Sequence, residues 1–181
     1  PIAQRPDVTG ARIAAWLGHY DFFAASADDT FRQRLMARLV ADARALAAAL
    51  PTEELDARAL TTLKGLIAAA VALPEHAAFL TRALRVLPQE IGRQVLPDGC
   101  HVERSPAQML ASLQDLTEIR ALLQSAQAQV PLALSSAIER MAPALRVLRH
   151  GDGGLALFNG SKEESGTATD LALAQAGRGG R

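Results

Sequence analysis

A single cysteine, Cys100, stands in a chain of 181 residues, so neither an internal disulfide nor a multi-cysteine metal site can form. Aromatic residues are scarce too, at 4%, and Ala and Leu supply most of the apolar mass. Both are strong helix formers. Neither sign of charge is in excess: Lys+Arg and Asp+Glu are 19 each. Displacing counterions from phosphates needs a cation surplus, so nucleic acid is not an expected partner. The arginines Arg32, Arg34, Arg38 and Arg44 are scattered along one helical stretch and read as a solvated surface. No apolar run approaches the roughly 18 residues of a membrane span; residues 66–73 are apolar but far too short. The histidines His19, His76, His101 and His150 show no metal-ligand spacing, and the Gly-rich turns at Gly151 and Gly177 lack the Lys-Ser/Thr of a phosphate loop. No metal and no cofactor are expected. The chain opens at Pro1 without an initiator Met, which suggests a trimmed or fragmentary start, so a missing targeting signal says little about compartment.

What remains is helical pattern. A first helix is expected over about residues 9–25, carrying Ile13, Trp16, Leu17, Tyr20 and Phe23. Asp28 and Asp29 can cap a second, whose apolar stripe is Phe31, Leu35, Leu39, Ala43, Leu46 and Leu50, at spacings of three and four. Thr52 with Glu53 and Glu54 opens a third, through Leu60, Leu63, Ile67 and Val71. A fourth follows Leu73-Pro74, with Phe79, Leu80, Leu84, Leu87 and Ile91, and a kink or restart is expected at Pro88. Ser105-Pro106 starts a fifth, with Pro at the first helical position. A sixth starts near Pro131 and runs to His150. Short connections make successive helices antiparallel. The Trp16-Leu17-Gly18 and Tyr20 letters of a tetratricopeptide unit are present without its spacing.

The organisation expected is therefore an all-α domain over residues 1–150, a turn with a short strand or extended segment over 151–160, and a flexible tail over 161–181. The extended segment is 155–158, between Gly151-Asp152-Gly153-Gly154 and Asn159-Gly160. The tail is polar, ends Gly-Arg-Gly-Gly-Arg, and carries only a weak helical pattern at 170–176. Residues 96–104 break the helical rhythm and form the longest polar connection between strong helices, the first place to look for function.

Three stretches, in order, resemble a known family: residues 18–23 (GHYDFF), residues 96–106 (LPDGCHVERSP), and Arg140-Met141-Ala142-Pro143 followed by residues 149–160 (RHGDGGLALFNG). Together they resemble the later part of the N-terminal helical domain of bacterial heparinase II/III-like proteins, over essentially the whole chain to Gly160. The resemblance implies antiparallel helical hairpins forming part of an incomplete (α/α) toroid, whose remaining helices and following β-sandwich are missing from these residues. It implies polysaccharide lyase chemistry, β-elimination at a uronic acid without metal in the bond-breaking step. An acidic polysaccharide or glycan is the implied partner, and a periplasmic or secreted setting the implied compartment. The alternative is a non-catalytic helical scaffold. Characterised members often place a Tyr just inside the helix after the Ser-Pro pair; here Ser105-Pro106 is followed by Ala107, Gln108 and Met109, and the chain's single Tyr is Tyr20.

Elimination requires donors to neutralise the uronate carboxylate, a base, and an acid for the leaving group. His101 and His150 are the catalytic candidates; Glu103, Arg104, Gln108 and Asp152 are the substrate-binding candidates. Each also has a structural role open to it. His101 could orient a sugar or carry a proton, or be a surface histidine bonded to backbone. Glu103 and Arg104 could contact sugar or brace the loop as a pair. Ser105-x-x-Gln108 fits a capping box. His150 could offset the dipole of the sixth helix, and Asp152 fits ordinary turn chemistry. Cys100, beside His101, has nothing to assemble a nucleophilic triad, since adjacent side chains of an extended segment face opposite ways. Trp16 and Tyr20 read as core rather than as a sugar-stacking platform.

Overall fold

A computed structural model describes residues 2–51, 58–73 and 77–177. Among these residues every regular element is helical: α1 (Pro6–Gly18), α2 (Tyr20–Ala24), α3 (Asp29–Ala49), α4 (Ala59–Ala72), α5 (Ala77–Gln94), α6 (Pro106–Ser125), α7 (Leu132–Val147) and α8 (Gly166–Gly177), with a 3₁₀ turn at Ile2–Gln4. The chain divides into two compact units, Pro1–Val86 and Leu87–Arg181.

In the Pro1–Val86 unit, α4 is the central element. It is apolar nearly all round, with Leu60, Leu63, Leu66 and Ile67 fully buried, as expected of a helix enclosed by its neighbours. Its chief partner is α1. The two cross at glycines: a Cβ on Gly65 would lie 2.3 Å from the Gly10 Cα, and one on Gly10 would lie 2.6 Å from the Thr61 carbonyl oxygen. Only hydrogen at both positions permits this approach. The expected start of α4 at Thr52, Glu53 and Glu54 lies outside the described residues.

The helix expected over residues 9–25 is two helices. It starts earlier, with Pro6 in the first turn, and breaks at His19, whose φ of −116° and ψ of 17° leave the helical region. Gly18, with its low helix propensity, marks the place. Asp28 caps α3 as expected, its side chain accepting the Phe31 N–H at 2.7 Å. Leu35, Leu39, Ala43 and Leu46 face the core, but Phe31, expected in that stripe, is 44% exposed. Asp42 is buried on the same helix because two guanidinium groups meet it: Arg12 at 2.8 Å and Arg38 at 2.9 Å. Of the kink or restart expected at Pro88, the restart does not occur, since α5 continues through it; Pro74 and the residues up to His76 lie outside the described set.

In the Leu87–Arg181 unit, α6 packs against α7 and α8. Met109, Leu113, Leu116 and Leu123 are buried as the pattern predicts. The strand or extended segment expected at 155–158 is an extended segment, with one isolated antiparallel bridge, Leu155 to Arg149. Leu155 is buried, while Leu157 and Phe158 are exposed, so one contact with the end of α7 replaces a ladder. Residues 166–177, expected in a flexible tail, form α8. Its Thr169, Ala172 and Leu173 are buried, and Arg120 of α6 donates to the carbonyls of Gln175 and Ala176 at 2.6 and 3.2 Å. A cation at unsatisfied C-terminal carbonyls stabilises a helix end. That partner lies 55 residues away from Gln175, beyond the reach of local periodicity.

Candidate functional site

The 96–104 loop is held by its own backbone. Gly99 N–H donates to the Leu96 carbonyl at 2.9 Å, Val102 N–H to Gln94 at 2.8 Å, and Arg104 N–H to His101 at 2.8 Å. An isolated bridge joins Val95 and His101. Gly99 has φ +82°, and a Cβ there would lie 2.2 Å from the Arg140 carbonyl oxygen of α7. Glycine is required on both counts, by the left-handed conformation and by the contact.

Asp98 closes the loop. One carboxylate oxygen accepts the Cys100 N–H at 3.0 Å, and the other accepts from the Arg104 guanidinium at 2.5 Å. The Cys100 amide first, and then Arg104, hold its pKa below the usual carboxylate value. The brace expected between Glu103 and Arg104 is therefore one between Asp98 and Arg104. The Arg104 backbone is left-handed, with φ +53°, and its carbonyl accepts from the Asn159 side chain at 3.0 Å.

At the front of α6, the Ser105 hydroxyl accepts the Gln108 N–H at 3.5 Å, the first half of the expected capping box. A second hydroxyl joins it. Ser161 Oγ lies 3.0 Å from Ser105 Oγ and accepts the Ala107 N–H at 3.0 Å. Two of the orphan amides of a helix N-terminus are thus satisfied by two serines far apart in sequence.

These elements border a cavity of about 250 Å³. Its walls are Cys100, His101 and Arg104 from the loop, Ser105 and Met109 from α6, and Leu148 and Phe158 from the segments after α7. His101 is fully buried rather than at the surface. Its Nδ1 accepts the Glu103 N–H at 3.2 Å, so the neutral ring carries its proton on Nε2, and Nε2 has no partner. Burial pushes the imidazole pKa below 6.5, and the Glu103 charge opposes this only in part. His101 at neutral pH is thus an uncharged donor. It is poorly set to act as a base, because its one lone pair is already engaged.

The other candidates are not brought to this cavity. Glu103 is exposed and touches His101 through its amide. Gln108 sits in the first turn of α6. His150 is exposed and lies beyond the end of α7 at Val147, so it is not in the last helical turn; Arg146 is. Asp152 accepts the Gly154 N–H at 2.9 Å, ordinary turn chemistry. Sequence reasoning missed Asp98, Asn159 and Ser161. Asp98 was signalled by its turn, since Asp commonly bonds the amide two residues on; Ser161 had no local signal. Among the described residues no group of His, Cys, Asp and Glu is placed to hold a metal ion, and no helix is long and apolar enough to cross a membrane.

Residues 4–176 match the family model described as Heparinase II/III N-terminus. The chain is 36% identical over 99 residues to FtsZ-localized protein C of Caulobacter vibrioides (strain NA1000 / CB15N), an alignment covering 55% of this chain and 17% of that protein. It shares its fold with the crystal structure of heparinase III, at a TM-score of 0.82 and 16% identity, over 94% of this chain and 28% of that one. That likeness shows the all-α fold, part of an (α/α) toroid, that the sequence resemblance implied. The chain spans well under two thirds of either relative.

Proposed function

The chain belongs to the heparinase II/III family through its N-terminal helical part, and we propose that the cavity beside His101 binds part of an acidic glycan. The observation that carries this reading is a fully buried imidazole lining a cavity with its Nε2 unpartnered. An unmet buried donor is costly, and a sugar hydroxyl or uronate oxygen would satisfy it. Phe158, partly exposed at the same cavity, offers a ring for the apolar face of a pyranose. Arg104, fixed by Asp98, serves the loop first and the ligand second.

Lyase chemistry is assigned to the whole protein rather than to these residues. With His101 engaged at Nδ1 and Ala107, Gln108 and Met109 where a Tyr often stands, the base and leaving-group acid come from elsewhere in the longer chain. The remaining toroid helices and a β-sandwich region are the proposed partners. Titration calorimetry against a panel of uronate-containing oligosaccharides tests the reading, with absorbance of the unsaturated product followed in parallel. Binding lost in His101→Leu supports it; no heat from any member of the panel, or equal binding by the variant, rejects it.

A second reading, a non-catalytic scaffold, is favoured by one observation: the 36% identical relative is described as FtsZ-localized rather than by an enzymatic activity. Absence of glycan binding, together with retention of a protein partner by the full-length protein, would select it.

A further inference from the structure

Within the Pro1–Val86 unit a second cleft, of about 480 Å³, opens among α1, α2 and α3. Trp16, Phe23, Phe31 and Leu35 form its floor, and Arg34 and Arg38 its edge. We propose that this cleft docks an acidic peptide segment of a protein partner, with an aromatic or leucine side chain in the floor and carboxylates against the two arginines.

The charge arrangement asks for an anion. Arg34 and Arg38 are four apart on one helix, where like charges repel. Arg38 is 56% exposed and is held by Asp42 through Nε. Arg34 makes no hydrogen bond or ion pair among the described residues. The floor is fixed in advance. Arg12 lies 5.6 Å from the Trp16 ring and is itself anchored on Asp42, while Phe23 and Phe31 meet edge to face at 6.4 Å. Binding then orders little on this side, which preserves affinity. Phe22, on the same short helix as Phe23, is 91% exposed. Trp, Phe and Arg together are the composition of interface hot spots.

Peptide is favoured over glycan by what the lining lacks. Trp16 and the two arginines offer donors, but the lining has no hydroxyl, amide or carboxylate acceptor. The protons of sugar hydroxyls would find no side-chain partner, whereas an apolar side chain flanked by carboxylates meets both the rings and the cations. The proposal stands apart from the His101 site, which draws on none of these residues.

Trp16 is the chain's single tryptophan, so its emission reports on the cleft directly. The probe is a synthetic peptide with Phe and Leu at helical spacing flanked by Glu and Asp, against a counterpart with Lys in place of the acids. The acidic peptide is expected to shift Trp16 emission saturably and the basic one to leave it unchanged. Arg34→Glu, at a side chain with no hydrogen bond or ion pair among the described residues, should weaken binding roughly tenfold, and Phe31→Ala should weaken it with the far-ultraviolet circular dichroism unchanged. The proposal is overturned if both peptides bind alike, if Arg34→Glu binds the acidic peptide as well as the parent does, or if a uronate tetrasaccharide displaces it. Self-association of the chain that Arg34→Glu abolishes would also overturn it, by making a second copy the occupant.

Discussion

The two units of the chain solve the same problem, fixing one segment against another, by opposite means. In Pro1–Val86 the α1–α4 crossing is set by the absence of side chains at Gly10 and Gly65, and the buried carboxylate of Asp42 is matched by two guanidiniums. In Leu87–Arg181 the 96–104 loop and the start of α6 are set by side chains bonding to backbone, through Asp98, Asn159, Ser105 and Ser161. The open aromatic cleft of Pro1–Val86, lined by Trp16, Phe23 and Phe31, faces outward among α1, α2 and α3. In the Leu87–Arg181 unit His101 Nε2 is left without a partner beside a cavity, and Ser112 Oγ and Thr169 Oγ1 are also without one among the described residues.

Breaking that contrast is most severe at the glycine crossing. Gly65→Ala drives a methyl into the Gly10 backbone and should cost about 3 kcal/mol or more, since backbone cannot move aside as a side chain can; urea denaturation measures it. An unchanged midpoint would show that the crossing is looser than the geometry implies. Asp42→Ala is next. It removes the shared acceptor of Arg12, which keeps its bonds to Ala3 and Thr9, and of the largely exposed Arg38, and should cost about 1–2 kcal/mol. Burial alone would raise the Asp42 pKa, but the Arg12 and Arg38 bonds outweigh it and hold the value below 3.8. The stability contributed by Asp42 is therefore present above 3.8 and lost as pH falls through the lower folded value; an acid titration of melting temperature should show the variant less sensitive in that range.

His101 sharpens the comparison from the other unit. Its pKa is depressed by burial, so its contribution to stability is complete above 6.5, the ordinary histidine value, and declines as pH falls below it. A melting temperature that falls on acidification in the parent, and falls less in His101→Leu, is the expected result; identical profiles would place the ring in water. The smallest effect is at Ser161→Ala. Removing one of two acceptors at the front of α6 should cost about 1 kcal/mol by thermal denaturation, with glycan affinity reduced because Ser105 lines the cavity.

The helical class and most boundaries were legible because Leu and Ala recur at helical spacing and because Asp28 and Ser105 are strong caps. Two features failed for identifiable reasons. The first helix was overrun because Tyr20 and Phe23 continue the apolar rhythm across His19, where the backbone leaves the helix. α8 was undervalued because its stability comes from Arg120 and from burial of Thr169, Ala172 and Leu173, all tertiary terms. The 96–104 loop and His101 stand out in the sequence through composition and family resemblance. The burial of His101, its Nδ1 acceptor role and its cavity depend on residues from three other segments, which no local pattern specifies. The arginines of α3 read as a solvated surface, and Arg34, Arg38 and Arg44 are exposed; that Trp16 and Phe23 lie beside two of them depends on other helices and is not legible locally.

The hydroxyl of Ser161 reaches back 56 residues to Ser105, and this sets an order of events during synthesis. While the chain leaves the ribosome, α6 and the 96–104 loop can form with Ser105 capping Gln108, yet the Ala107 amide keeps only water until Ser161 has emerged and swung back to it. A protease that cuts the polar stretch between Ser161 and α8 would act in reverse. It would free the latch, loosen the mouth of the His101 cavity, and leave the helices themselves whole.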